Sequence, residues 1–297
     1  MNKFYALTFF LFACLKLAAQ DYGNLHTTLQ GLNEMQNTSV EIVPNAQFPF
    51  GQPLKQVKQQ DRSPKKVFVL GVYASAVHAK WRSPEGKVLC ETLAVASEPE
   101  IFWKGENAAE VISNVIVPSE AGYLEPAEEI FNGTSGRVLD ELYLAPLGLS
   151  RSDAWLCDLV PHSFMNPNQS KAIKRCYAPL CKKYNLPAAT VPAKPRRLTD
   201  ENRRSEILAE LAESQAETII LLGDDPIKWF LSFVSDCKKT RLGEFDRASY
   251  GSPLQVNISG RMYSVILFVH VRQGGGIGTH DANWERLHND WVKNMNK

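Results

Sequence analysis

The sequence predicts an α/β domain of three layers, in which a central four-stranded, mainly parallel sheet lies between two layers of helices. Four short apolar runs rich in β-branched residues end at turn residues, as buried parallel strands do. They are residues 66–71, 154–160, 217–223 and 263–269. Helical spacing of apolar residues precedes or follows each run, and this alternation is typical of doubly wound sheets. With 297 residues and 44% hydrophobic content, the chain can bury a sizeable core.

The helical segments have recognisable starts and stops. Residues 137–147 and 200–215 carry apolar side chains at helical spacing, and residues 226–236 follow an Asp-Asp-Pro start signal. Residues 168–183 and the C-terminal segment around Trp284 and Trp291 are the other predicted helices. Weaker strand patterns at residues 87–95, 100–103 and 111–117 lie in an acidic insertion, residues 84–130, which we expect against the sheet edge.

The N-terminal end divides into two segments ahead of the predicted domain, residues 63–297. Residues 1–20 have an early Lys, a short apolar run and small residues before Gln20, like a secretory signal peptide. The alternative is that translation starts at Met35, since residues 21–62 form a polar lead-in. A signal peptide would place the protein outside the cytoplasm, secreted or periplasmic, whereas a start near Met35 favours the cytoplasm. The apolar run is too short to span a bilayer, so no membrane segment is expected in the mature chain.

The charges are polarised along the chain although the formal net charge is only +1. Residues 161–206 hold ten Lys or Arg against three acids, and residues 91–130 hold nine Glu against one Lys. A basic face of this kind could contact phosphates, and two solvated surface segments are the alternative.

The six cysteines form no Cys-x-x-Cys pair, and the two nearest are Cys176 and Cys181. This spacing argues against a zinc ribbon or a thioredoxin-type site, so no metal site is predicted. Cys90 and Cys157 lie in apolar stretches and are expected as buried thiols.

The carboxyl ends of the four strands are where an open α/β sheet binds ligands. The first end is the loop 71–76, the second contains Asp158 and the third Asp224. The fourth, residues 270–280, joins His270 and Arg272 to a glycine run, which combines a titratable hydrogen-bond donor with accessible backbone amides. Residues 130–140 place Phe131 before a Gly-rich turn that opens a helix, which suits stacking on a planar ligand.

The order of four blocks resembles the uracil-DNA glycosylase superfamily, and most closely its branch of iron-sulfur enzymes. The blocks are residues 131–140, 147–151, 154–161 and 219–223. The resemblance extends over residues 66–292, with residues 72–130 unmatched. It implies a doubly wound fold that flips a base out of DNA and hydrolyses its N-glycosidic bond. The implied partner is DNA, single-stranded DNA included, and the implied protein is a monomer.

The resemblance also implies roles for individual residues. His270 would steady the departing base, and Asp158 would face the base edge. The base would be held by the first loop and stacked on an aromatic ring: Gly71, Tyr73, Ala74, Ser75 and Phe131. The DNA backbone would be gripped by Arg272, Gly274, Gly275, Gly276, Ser135 and Gly136.

Three departures from the family pattern qualify these roles. The first loop lacks the acid or Asn that positions water, and either Glu129 or Asp158 could substitute for it. Asp158 replaces the usual Asn, and a carboxylate would favour a base that presents an amino group, as cytosine does; capping of a nearby turn is the alternative role. No cysteine lies between Gln20 and Val88, so no iron-sulfur cluster and no other cofactor is expected.

Two functions follow from these residues. The first is a DNA glycosylase that removes uracil or another altered base. The second is a non-catalytic nucleic-acid or nucleobase-binding module that kept the fold and lost the catalytic acid. A secreted hydrolase of other specificity is a third possibility if residues 1–20 are cleaved.

Overall fold

A five-stranded sheet forms the centre of the computed structural model, which describes residues 41–232, 238–258, 260–278 and 281–297. The predicted signal-like segment and the first part of the lead-in therefore lie outside the described residues. The strands are β1 (Ile42–Gln47), β2 (Pro53–Lys55), β3 (Val67–Tyr73), β4 (Ala76–Arg82), β5 (Val88–Ser97), β6 (Tyr123–Pro126), β7 (Ala154–Val160), β8 (Thr218–Leu222), β9 (Pro253–Ile258) and β10 (Arg261–Phe268).

The central sheet has the strand order β7-β3-β8-β10-β9. Strands β7, β3, β8 and β10 are parallel, and β9 pairs with β10 in the antiparallel sense. Among the four parallel strands, β3 comes first along the chain, and it lies between the next two, β7 and β8. The chain thus reverses its winding direction at β3, and the carboxyl ends beside it form the crevice where such sheets bind ligands.

Helices cover both faces of this sheet because its buried strands alternate their apolar side chains between two cores. Phe68 and Leu70 belong to one core with the helices Glu201–Ser214 and Asp224–Leu231. Val67 and Val69 belong to the other, with the helical turns Leu139–Leu144. Further helical segments include Ala108–Ser113, Thr134–Val138, Ala145–Leu147, Pro167–Ala172, Ile173–Tyr177, Ala178–Tyr184, Val271–Gly274 and Ala282–Met295.

A second, three-stranded sheet has the order β5-β4-β6 and is antiparallel throughout. Its core is separate from the two described above: Trp81 and Leu93 pack with Tyr177 and Leu186 from the segment that follows β7. Strand β4 begins three residues after β3 ends, so the second sheet starts directly at the edge of the crevice. The ends of its strands can therefore contribute side chains to the crevice.

The four predicted parallel strands are confirmed, whereas the prediction of four strands in all is wrong. Strand β9 was missed because Pro253–Ile258 is an edge strand that starts with Pro and buries only Val256. Leu254, Val256 and Ile258 alternate with polar residues, which is the pattern of a half-buried strand, and this signal was overlooked. The predicted strand at residues 87–95 is β5. The other two candidates are wrong, since residues 100–103 form a turn and the helix Ala108–Ser113 overlaps the start of residues 111–117.

The predicted helices at residues 137–147, 168–183 and 200–215 are confirmed with small shifts at their ends. The helix predicted from residue 226 starts at Asp224 and is described to Leu231, and residues 233–237 lie outside the described residues. Within the described ranges, no helix has the length and apolar character needed to cross a membrane.

Candidate functional site

A cleft of about 1130 Å³ opens at the carboxyl ends of the parallel strands. All four strand-end loops reach it, through Tyr73, Asp158, Asp224 and His270. Its remaining walls come from β4, from residues 98–103 that follow β5, from the turn at 130–135 and from residues 163–173. The volume is slightly larger than the roughly 300–1000 Å³ of typical small-molecule pockets. The cleft can therefore hold a base-sized group and part of the molecule that carries it.

Asp158 brings a buried carboxylate to this cleft. The residue is 3% exposed, and no residue that the structure describes donates a hydrogen bond to its carboxylate. Burial raises the pKa of Asp158 from 3.8 to about 7, with Arg203 acting in the opposite direction. No backbone amide of a turn among the described residues donates to the Asp158 carboxylate, so the structure does not support the alternative in which Asp158 caps a nearby turn. A buried acid without a partner is a feature of functional sites.

Gly71 explains why the Asp158 carboxylate fits where it does. The two residues face each other in the parallel register of β3 and β7. A Cβ at position 71 would overlap Asp158 Oδ1 and would lie 2.7 Å from Cζ of Phe102. Gly71 is thus required by the close approach of a carboxylate and an aromatic ring, and it contributes no side chain of its own.

Glu98 is a second buried acid in the cleft, and the sequence reasoning did not find it. It lies one residue beyond β5 and is 5% exposed. Its Oε1 accepts a hydrogen bond of 2.8 Å from the backbone N–H of Ser75, in the first strand-end loop. Burial raises the pKa of Glu98 well above its ordinary value, and the nearby negative charge of Asp158 adds to the rise. The signal available in the sequence was an acid directly after a predicted strand, and it was read only as part of an acidic block.

Arg151 fixes the segment that carries Glu98. Its guanidinium donates hydrogen bonds to the backbone carbonyls of Ile101 and Phe102, at 3.2 and 2.8 Å, and forms an ion pair of 3.0 Å with Asp140. Phe102 has a φ of 52°, a left-handed conformation that is costly for an aromatic residue. Such strain occurs where the surrounding structure holds a functional loop in place.

His270 caps the short helix Val271–Gly274 and faces the cleft. Its Nδ1 accepts a hydrogen bond of 3.3 Å from the backbone N–H of Arg272. A neutral ring whose Nδ1 accepts carries its proton on Nε2, so the ring offers an N–H donor on its other side. Desolvation, together with the positive charge of Arg272, lowers the pKa of His270 to about 4, which keeps the imidazole neutral at pH 7.

The aromatic residues of the cleft lie at two depths. Phe131 is 45% exposed at the rim, with its ring centroid 6.4 Å from that of His78. Phe102, which the sequence reasoning also missed, is only 9% exposed and lies next to Gly71. Tyr73 is half-buried and packs edge-on against Phe164, with 5.4 Å between ring centroids. The predicted stacking residue Phe131 therefore reaches the cleft together with a deeper aromatic ring.

The rest of the first loop has mainly backbone roles. Ala74 is buried, and its N–H donates to the Val160 carbonyl at 3.3 Å. Ser75 holds Glu98 through its N–H and accepts a hydrogen bond from the Ser163 hydroxyl on its carbonyl. The loop thus joins β7 and the segment after β5 at the edge of the cleft.

The glycine run is placed differently from the other predicted site residues. Gly274, Gly275 and Gly276 pack against Tyr143, Val138 and Glu285, where a Cβ would meet those side chains at less than 3.0 Å. Their backbone amides donate to carbonyls within the same turn. The described lining of the cleft includes Arg272 and Ser135 and does not include these glycines or Gly136, which is buried against the Phe102 backbone. Their contact with a DNA backbone stays a prediction.

No group of three or more His, Cys, Asp or Glu side chains suited to a metal ion occurs among the described residues. The described cysteines are free thiols, and Cys157 and Cys90 belong to different cores. No protein-family model matches the sequence, and no curated protein is similar to it.

Proposed function

We propose that this protein is a uracil-DNA glycosylase-like enzyme, which hydrolyses the N-glycosidic bond of a flipped uracil or other altered base in DNA. The observation that carries the proposal is that two groups line one cleft at the switch point of a parallel sheet: His270, whose Nδ1 accepts a backbone hydrogen bond, and the buried Asp158 carboxylate, to which no described residue donates. The order of sequence blocks that resembles this superfamily adds to the argument. A doubly wound sheet with the order β7-β3-β8-β10 is compatible with that fold.

His270 is suited to stabilise the departing base. When the glycosidic bond breaks, its electron pair stays on the base, and the negative charge spreads to a ring nitrogen or a carbonyl oxygen. An N–H on Nε2 can donate to that atom, and a preorganised donor of this kind lowers the barrier in a water-poor site. Because the pKa of His270 is about 4, the ring supplies this hydrogen bond in its neutral form throughout the physiological range.

Asp158 and the aromatic rings would select the base. Phe102 and Phe131 offer apolar faces for stacking, while the Asp158 carboxylate accepts hydrogen bonds from the base edge. Above its pKa of about 7, the ionised Asp158 carboxylate prefers an exocyclic amino group to the carbonyl that uracil presents at the same position. We therefore expect a base with an amino group, such as cytosine, to be preferred over uracil.

DNA is supported as the partner by the charges next to the cleft. Exposed basic side chains recur along the segment that forms one wall and continues past it: Lys171, Lys174, Arg175, Lys194, Arg196 and Arg197. Lys194 lines the cleft and forms an ion pair of 2.8 Å with Asp225. Basic side chains in such a stripe neutralise phosphates and make binding depend on salt.

The test is a panel of single- and double-stranded oligonucleotides that carry uracil, hypoxanthine, xanthine or mismatched normal bases. Abasic sites are detected by alkaline cleavage. We expect abasic sites on at least one member of the panel, and a rate about 100 to 1000 times lower for His270→Ala. His162→Ala is the matched control, because His162 follows β7 and does not line the cleft.

Three outcomes are distinguished by this panel. Binding without abasic sites on any member would overturn the enzyme and favour the non-catalytic binding module. If the protein neither binds nor cleaves any member of the panel, both the enzyme and the binding module would be overturned. A preference for uracil over cytosine would leave the enzyme in place and would overturn the role of Asp158 in base selection.

A further inference from the structure

We propose that Glu98 is the residue that activates the attacking water, in place of the acid that the first strand-end loop lacks. The geometry that points to this is a buried carboxyl bound to the backbone of that same loop and open to the cleft that holds His270 and Asp158. The inference rests on the proposed glycosylase function.

One oxygen of Glu98 is held and the other is available. Oε1 accepts the hydrogen bond from Ser75 N–H, and no described residue donates to Oε2. The residue is only 5% exposed and lines the cleft, so its carboxyl borders the space that a substrate would occupy. This arrangement leaves one carboxylate oxygen to orient a water molecule while the backbone fixes the direction of the group.

The charges around Glu98 do not fit a structural ion pair. The groups that face it are Ser75 N–H from the first loop, Asp158 from β7, Glu100 from its own loop and Arg151 at longer range. Arg151 donates hydrogen bonds to backbone carbonyls and forms ion pairs with Asp140 and Glu100. It forms no ion pair with Glu98 among the described contacts. Two buried acids next to each other destabilise the fold, and such an arrangement is retained where the chemistry needs it.

Several contacts hold the loop around Glu98 in one conformation. Arg151 binds the carbonyls of Ile101 and Phe102, and Phe102 fills the space above Gly71 in a left-handed conformation. Trp103, buried at the end of the segment, donates a hydrogen bond of 3.0 Å to Asn107. The second sheet thus presents an acid to the first loop with little freedom to move away.

The C1′–N bond of the flipped nucleotide breaks, and its electron pair leaves with the base, which receives a hydrogen bond from His270 Nε2–H. A water oxygen donates a lone pair to C1′ and forms the new C1′–O bond. The ionised Glu98 carboxylate accepts one proton from that water, and this proton passes to the base or to solvent. The products are the free base and an abasic sugar.

This role predicts a dependence on pH. Glu98 must be ionised to accept a proton, and its burial beside Asp158 delays ionisation. The single-turnover rate should therefore rise with pH as Glu98 ionises, and because its charge interacts with that of Asp158, the profile belongs to the pair of carboxyls. His270 does not produce this limb, because its pKa is about 4 and it is already neutral.

The experiment compares Glu98→Gln with Glu100→Gln in the full chain. Glu100 is in the same loop, and 47% of its side chain is exposed, so its substitution removes a neighbouring acid without changing the cleft. The substrate is the oligonucleotide that the wild-type protein cleaves fastest in the panel. Binding is measured with the same oligonucleotide carrying 2′-fluorine on the target nucleotide, which resists cleavage because fluorine destabilises the developing positive charge on the sugar.

For Glu98→Gln we expect a loss of at least about 100-fold in single-turnover rate, with binding within about threefold of wild type. Its residual rate should vary less with pH than the wild-type rate, because Asp158 is then the only one of the two carboxyls that still titrates. Glu100→Gln should keep the wild-type rate within about threefold. A wild-type rate in Glu98→Gln, or a loss of rate fully explained by a loss of binding, would overturn the role of Glu98.

If Glu98→Gln fails to fold, the Glu98→Asp variant tests the same role. The shorter carboxylate should bind normally and react at an intermediate rate, and an unchanged rate would also overturn the role. The proposed function fails in a different way. In that case the wild-type protein itself makes no abasic sites, whereas failure of the Glu98 role alone leaves an active wild-type enzyme.

Discussion

Strand β7 separates two buried groups of charges that are built in opposite ways. On one side of the strand, Arg203 and Glu210 from the helix Glu201–Ser214 form a buried ion pair with N–O separation 3.2 Å. On the other side, Asp158 and Glu98 are two acids that line the cleft. Both groups are at least nine-tenths buried, so their difference lies in how the charges are satisfied.

The ion pair is fully bonded. Arg203 donates to Glu210, to the Asp158 carbonyl at 2.7 Å and to the Leu159 carbonyl at 3.3 Å. Glu210 also accepts a hydrogen bond of 3.1 Å from Trp155 Nε1. Every strong donor and acceptor here is used inside the protein, which is what a structural role requires.

The acids of the cleft are only partly bonded. Glu98 has one backbone donor, and Asp158 has none among the described residues. The comparison shows that burial alone does not identify a site in this molecule. Unsatisfied capacity to form hydrogen bonds does, because groups that are left unbonded in the fold are the ones that can bond to a ligand.

The largest effect is expected when the ion pair is broken. Arg203→Met leaves Glu210 buried without its cation and removes the donors to two carbonyls of β7. We expect a loss of about 3–5 kcal/mol in the free energy of unfolding, measured by urea denaturation. Arg204→Met is the control, since its pair with Glu201 is exposed and is worth about 0.5 kcal/mol. Equal losses in the two variants would contradict the structural role of Arg203.

A smaller loss is expected when the close approach at the cleft is blocked. Gly71→Ala places a methyl group against Asp158 and Phe102, and we expect it to destabilise the protein by about 2–3 kcal/mol. It should also weaken oligonucleotide binding, because the cleft wall moves. Gly243→Ala is the control, since a Cβ there lies 3.8 Å from Trp284. A neutral effect of Gly71→Ala on both stability and binding would contradict the packing at this site.

The third substitution, Asp158→Asn, should raise the free energy of unfolding relative to wild type, and the gain should depend on pH. The folded pKa of Asp158, about 7, is above its ordinary value of 3.8. As pH rises from 4 to 7, Asp158 ionises in the unfolded chain but stays largely protonated in the folded protein. The free energy of unfolding therefore falls over that interval. Asp158→Asn does not titrate, and its stability relative to wild type should increase by on the order of 2 kcal/mol between pH 4 and pH 8.

Thermal or urea denaturation of the wild-type protein and of Asp158→Asn across that pH interval measures this effect. A stability difference that does not change with pH would show that Asp158 titrates normally. Glu128→Gln is a suitable control, since its carboxyl is exposed and lies outside both charged groups.

The sequence predicted the strands and the long helices well, since their apolar periodicity is a local property. It also placed His270, Asp158 and Tyr73 at strand ends and Phe131 before a Gly-rich turn, and the fold brings all four into one cleft. It missed β9, although the alternation of apolar and polar residues in Pro253–Ile258 is a local strand signal. It missed Glu98 and Phe102 as well, because they enter the cleft from a second sheet that was read as an insertion against the sheet edge.

The α/β class, the parallel strands and the loops in which a site should lie all follow from the amino-acid sequence, because strand and helix periodicities are properties of neighbouring residues. Which charges are bonded and which are left without a partner depends on tertiary contacts. Arg203 and Glu98 are both charged residues in polar stretches, and their local sequence does not distinguish them. What separates them is which partners, distant along the chain, the fold brings within hydrogen-bonding distance.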